Sequence, residues 1–151
     1  MFRKLLTLIG ASLISTGFLA HAPIAYATEI VHKLVIHVDE NDPTRMKMAL
    51  NNAANVTKYY RAKGEEVEIE IVVYGPGLHL LRVDTSPMRD EIVPFAASYE
   101  NISFRSCGNT VNAMTMKEGK EPPLLDIVEN VPSGVVHLME RQEQGWSYVR
   151  P

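Results

Sequence analysis

His32–Glu40 reads HKLVIHVDE. Leu34, Val35, Ile36 and Val38 form a near-continuous, largely β-branched run. Such a run suits a strand covered on both faces, as the strands of a parallel sheet are. Asn41–Gly64 (NDPTRMKMALNNAANVTKYYRAKG) follows as a helix. Asp42 suits its N-cap, Pro43 its first turn and Gly64 its stop, while Met46, Leu50, Ala53 and Tyr60 recur at near-helical spacing. The acidic stretch DENDP lacks a calcium-loop pattern and reads as a solvated loop carrying the helix cap.

The alternation continues outward along the chain. Glu65–Gly75 (EEVEIEIVVYG) reads as a strand whose first half turns Glu66, Glu68 and Glu70 to water and whose second half is fully apolar. A Gly-Pro-Gly turn leads into the short apolar segment GPGLHLL. Thr85–Tyr99 (TSPMRDEIVPFAASY) predicts a helix capped by Ser86 that Pro94 kinks or ends. ENISFRS is a third strand, followed by a short helix capped by Asn109 or Thr110 and ended by Gly119. LLDIVENV is a fourth strand. Pro132 and Ser133 open a last helix in which Val135, Leu138 and Met139 share a face and His137 lies on the polar side. WSYVR is a final edge strand. Strands alternating with helices predict one α/β domain with a mostly parallel sheet of about five strands.

The N-terminus has a different logic. Arg3 and Lys4 precede an apolar run from Leu5 to Ala20, and Ala25 and Ala27 form an A-x-A-like site. This is the pattern of a secretory signal peptide, residues 1–27, cleaved after Ala27 to leave a single domain at 28–151. The apolar run is short for a membrane span and is interrupted by Gly10, Ser12, Ser15 and Gly17. The expectation is a periplasmic or secreted protein with no membrane attachment after cleavage. The formal net charge of −3 becomes more negative once Arg3 and Lys4 are removed. With no basic stripe, nucleic acid is not the expected partner.

Cys107 is the one cysteine of the 151 residues. An exported chain with one cysteine has no internal disulfide to form, which leaves an intermolecular bridge, a reactive thiol or a small buried hydrophobe. Position favours the second. In open α/β sheets, ligands sit outside the carboxyl ends of the strands. Three loops leave those ends, carrying His37 to Asn41, then Tyr74 to His79, then Ser106 to Thr110. Cys107 precedes a helix start, where free N–H groups and partial positive charge stabilise a thiolate. Gly108 permits close approach of a partner, and Asn109 and Thr110 add hydrogen-bonding groups. Gly75 and Gly77 could build a nest for an anion, although a tight strand-to-helix turn explains the same glycines. The segment lacks the lysine of a Walker loop and the third glycine of a dinucleotide loop. His37 and His79 are candidate bases for the thiol. No metal-ligand spacing is present, so neither a metal nor a cofactor is expected.

Four stretches carry a resemblance. KLVIHVDE, VVYGPGL, FRSCGNT and VENVPSGVVHLMERQEQGWSYVRP, in that order from Lys33 to Pro151, resemble the DsrE/DsrF-like family, and most closely its exported single-domain members. The resemblance implies a flavodoxin-like three-layer α/β sandwich assembled as a homo-oligomer, often a trimer or hexamer. It also implies a sulfur-relay role in which Cys107 accepts sulfane sulfur as a persulfide, or forms a mixed disulfide. The partners would be a sulfur donor or acceptor protein, or a small sulfur compound. Gly108, Asn109 and Thr110 would shape the pocket, and Gly75 and Gly77 a neighbouring loop. Two rivals stand beside this carrier: a non-catalytic module that binds a small anion or a protein and uses Cys107 only for packing, and a thiol-dependent enzyme using His37 or His79 as base.

Overall fold

The computed structural model describes residues 31–151; the expected signal peptide lies outside the described residues. Strands β1 (Val31–Val38), β2 (Glu66–Val73), β3 (Ile102–Cys107), β4 (Val128–Val131) and β5 (Ser147–Val149) form one sheet in the order β4-β3-β2-β1-β5. Each pairing is parallel. Helices α1 (Pro43–Lys63), α2 (Arg89–Ser98), α3 (Gly108–Glu118) and α4 (Gly134–Glu143), with a 3₁₀ segment at Gly75–Leu81, complete a three-layer, flavodoxin-like α/β sandwich.

Strand order dictates the layers. From β1 to β4 the chain steps in one direction, and right-handed crossovers place α1, α2 and α3 on one face. The step from β4 back to β5 runs the other way and carries α4 to the opposite face. The first face holds most of the core. Leu34, Ile36 and Val38 of β1, Ile69, Ile71 and Val73 of β2, and Ile102 and Phe104 of β3 meet Met46, Leu50, Ile92 and Val111 from the helices. The second face is thin: Val35 and Val72 meet Leu138 and Trp146, with Tyr74 against them.

Asp42 caps α1 as expected, its Oδ1 accepting from the Thr44 N–H at 2.7 Å, and Gly64 closes it in the left-handed region at φ 71°. Several expectations are corrected. Helix α2 begins at Arg89 and runs through Pro94 to Ser98, with no side-chain cap. Ile92 on one side of the proline and Phe95 and Ala96 on the other are anchored to the core, which carries the helix past the break. Ser86 instead ties the preceding loop together, donating to the Leu80 carbonyl and accepting from the Met88 N–H. Glu70, expected to face water with Glu66 and Glu68, is buried beneath α4, 3 % exposed. In α4, Leu138 is buried while Val135 and Met139 are exposed, and His137 turns inward to Glu70. The sheet is wide enough for α4 to cover part of β2, and covered positions follow that placement, not local alternation.

Gly77 decides how the second loop passes the end of β1. A Cβ there would lie 2.6 Å from the Val38 carbonyl carbon and against its oxygen. Backbone cannot yield as a flexible side chain can. Gly77→Ala is expected to cost about 2–4 kcal/mol of stability, read as a lowered urea midpoint; an unchanged midpoint would show that this crossing is not a steric constraint.

Candidate active site

Cys107 is the last residue of β3 and pairs in register with Val131, the last of β4. Beyond this pair the two chains part. Gly108 turns at once into α3, while Pro132 and Ser133 lead into α4 on the other face. The crevice between these strand ends is the topological switch point, the place where open α/β sheets bind ligands. Cys107 stands in it as the N-cap of α3, nearer the helix than a cap at Asn109 or Thr110 would have put it.

Two helix N-termini therefore converge on one sulfur. The backbone is packed closely at both helix starts. A Cβ at Gly134 would lie 3.2 Å from both the Cys107 Cβ and the Tyr74 ring, and one at Gly108 would lie 3.2 Å from the Pro132 and Val131 carbonyl oxygens. The Asn109 N–H donates to the Pro132 carbonyl at 3.3 Å, tying the two helix starts together. Ser106 Oγ donates to Asn130 Oδ1 at 3.0 Å just behind the thiol.

Cys107 is 4 % exposed. Burial alone pushes its thiol up, but the Gly134 N–H, the Thr110 hydroxyl and the Thr110 and Asn109 N–H groups outweigh it, and the thiol lies below its ordinary value of 9.0. As the N-cap, the thiol makes no side-chain capping hydrogen bond. Thr110 has a second duty. Its Oγ1 accepts from the Gly75 N–H at 2.9 Å, binding the second loop to the start of α3. Gly75 takes φ +50° to allow this.

The sequence-derived residues fall into two groups. Cys107, Gly108, Asn109, Thr110 and Gly75 are brought together, with Gly77 beneath them as the crossing point on β1. Asn109, Thr110, Gly75, Pro76 and His79 line a cleft of about 430 Å³, floored by Ala113 and Met114. The two histidines stand apart from the sulfur. His79 Nδ1 pairs with Thr85 Oγ1 at 2.7 Å. His37 stacks on Tyr74 with ring centroids 4.4 Å apart, and its Nδ1 pairs with the Tyr148 hydroxyl at 2.8 Å. Burial lowers the His37 pKa against the opposing pull of Asp39, so its imidazole is neutral at neutral pH. Tyr74 lies between His37 and the thiol, and burial raises its phenol, helped by the Asp39 charge. Among the described residues no group of three or more His, Cys, Asp and Glu is placed to hold a metal, and no helix is long and apolar enough to cross a membrane.

Gly134 was not visible as a site residue from sequence. The signal was the Pro-Ser-Gly start of a helix after the fourth strand, a loop that becomes relevant only once β4 is known to lie beside β3. The anchor on the far side of α4 was also missed. Glu70 accepts from Arg141 Nε and Nη2, both at 2.9 Å, from His137 Nε2 at 2.7 Å and from Arg105 Nη2 at 3.2 Å. Burial raises its carboxyl, but Arg141 and then His137 hold it below the usual carboxylate range. The i, i+4 spacing of His137 and Arg141 was the available clue, since it puts two cation-capable groups on one helix face.

No family model matches the chain, and no curated protein is a significant match. Among solved structures it is similar to MTH1491 from Methanobacterium thermoautotrophicum, described as a protein of unknown function, with 34% sequence identity and a TM-score of 0.66. The similarity covers 80% of this chain and 99% of that one.

Two outcomes are expected of the thiol. Thr110→Val removes the hydroxyl that favours the thiolate, so alkylation of folded Cys107 at about pH 7 should slow roughly three- to tenfold; an unchanged rate would remove Thr110 from the site. The sign for stability follows from linkage. With the folded thiol below the unfolded one, the unfolded chain binds more protons in the window beneath 9.0, and stability rises with pH through it. The urea midpoint of the native protein, relative to Cys107→Ser, should therefore increase from about pH 7 to about pH 9. A constant difference would mean an ordinary thiol.

Proposed function

The chain belongs to the family of MTH1491, and from the geometry around Cys107 we propose that it handles sulfur through this residue, as a carrier that accepts sulfane sulfur and passes it on. The observation that supports this reading is the convergence of the α3 and α4 N-termini on the sulfur at the switch point. That arrangement stabilises a thiolate without enlisting a side-chain base, and a carrier needs nothing more. In the step, the Cys107 thiolate attacks the outer sulfur of a persulfide or polysulfide. An Sγ–S bond forms, the donor S–S bond breaks, and the donor leaves as its thiolate with the electron pair. The product on the protein is again an anion, one atom longer, and the same donors serve it. The DsrE/DsrF-like resemblance of the Cys-Gly-Asn-Thr segment agrees with this role, as does an exported chain that keeps one unpaired cysteine. The roughly 430 Å³ cleft lined by Asn109 and Thr110, and not by Cys107 itself, is of a size for a small molecule or for the tip of a partner's loop.

A binding module with a packing cysteine is the second reading, and the 4 % exposure of Cys107 is what favours it. Intact mass after incubation with a polysulfide separates the two. The carrier gains about 32 Da for each sulfur atom, loses it to reductant, and shows no gain as Cys107→Ser. An unmodified mass, with Cys107 resistant to alkylation until the protein unfolds, would leave the binding module. His37 and His79 replaced together should leave loading intact; loss of loading would turn the carrier into an enzyme with a histidine base.

A further inference from the structure

Helix α4 has one end on the thiol and the other on a buried charge. Its first residue, Gly134, packs on Cys107, with 3.2 Å between the Cys107 Cβ and the place a Gly134 Cβ would take. Its apolar seat is small. Leu138 is buried, whereas Val135, Val136 and Met139 are about half exposed, and the cluster beneath holds Val35, Val72 and Trp146 besides Leu138. What grips the helix is Glu70, through His137 one turn in and Arg141 two turns in. Arg141 also stacks on Trp146 at 4.9 Å, which joins the clamp to the chain entering β5.

We propose that Glu70 is a positioning residue for Cys107: by holding His137 and Arg141 it fixes where the N-terminus of α4 meets the sulfur. The inference rests on Cys107 acting as a thiolate, and it adds a residue on the opposite face of the sheet that touches neither the sulfur nor its ligands. Such a residue escapes any reading of the strand-end loops.

The groups facing Glu70 make the test sharp. Arg105 faces it from β3, itself paired with Glu129 of β4, and His137 and Arg141 face it from α4. Glu68 and Glu140 act on Arg141 from the rim. Glu70→Gln removes a negative charge and leaves Arg141 without its carboxylate partner. Acting through space alone, that change would lower the thiol pKa. Acting through position, it lets the α4 N-terminus drift and raises the thiol pKa. The two roles predict opposite signs.

The measurement is the pH dependence of iodoacetamide alkylation of Cys107 in the folded chain. Glu70→Gln should shift the profile upward by about half a unit to one unit, slowing alkylation at about pH 7 by roughly three- to tenfold. His137→Gln, which keeps a donor for Glu70, should stay near the native profile, and His137→Leu should fall between. A downward or absent shift in Glu70→Gln would overturn the inference. A variant that is merely destabilised reacts faster at every pH through unfolding and leaves the midpoint of the profile in place, which would also overturn it. Should Glu70→Gln not fold, Arg141→Lys carries the comparison, because it keeps the charge and loses the fork that grips Glu70: an upward shift supports positioning, and an unchanged profile removes it. Alkylation does not depend on sulfur transfer. A shifted profile in a protein that never loads sulfur would uphold the positioning and sink the carrier reading, and the reverse result would do the opposite.

Discussion

Cys107 and Val131 end adjacent parallel strands as a registered pair, and the chain leaves them toward opposite faces. This parting of the backbone is the constraint on which the site depends. From the edge strand β4 the chain returns across the sheet to the free side of β1, and that reversal sends α4 to the far face. Two helices that begin this close on opposite faces are best served by first residues with no side chains. Gly108 and Gly134 are such residues. The N–H groups that helices leave unpaired at their starts then point into one small volume, and the side chain in that volume is a thiol.

The two faces of the sheet are held by different forces. The face under α1, α2 and α3 is a broad apolar core, and hydrophobic burial accounts for it. The face under α4 buries few apolar residues and relies on one carboxylate among three cation-capable groups. Such a cluster is a poor source of net stability, since desolvation offsets much of the attraction. It is a good source of geometry. Its bidentate bonds to Arg141 are directional, and breaking one leaves a buried charge without its partner. An apolar seat would let α4 slide by a fraction of an ångström at little cost; a forked ion pair does not.

The strands and most helices could be read from the sequence because each rests on local signals. The β-branched run at Leu34–Val38, the Asp42-Pro43 helix start and the Gly64 stop are decided within a few residues. The placement of Cys107 at a strand end before a helix was readable for the same reason, and so were its neighbours Gly108, Asn109 and Thr110. What escaped depended on strand order. Glu70 alternates with Ile69 and Ile71 as a solvent-facing residue would, and nothing near it in sequence says that a helix 60-odd residues later will cover it (His137 follows Glu70 by 67 residues). Gly134 escaped likewise, since the fourth strand had to be put beside the third before its loop could reach the thiol. Pro94 does not end its helix: of the two outcomes its local signal allowed, the stop yielded to the core contacts of Ile92, Phe95 and Ala96.

The placing of the histidines bears on what kind of chemistry this edge can do. A nucleophilic hydrolase keeps a base on its nucleophile and an acid on the base. Here His37 is engaged by Tyr148 and Tyr74, and His79 by Thr85, while the sulfur faces backbone donors and a hydroxyl. Backbone donors have no protonation state to set and none to restore after a turnover. A site built this way holds a charge in place more readily than it moves a proton.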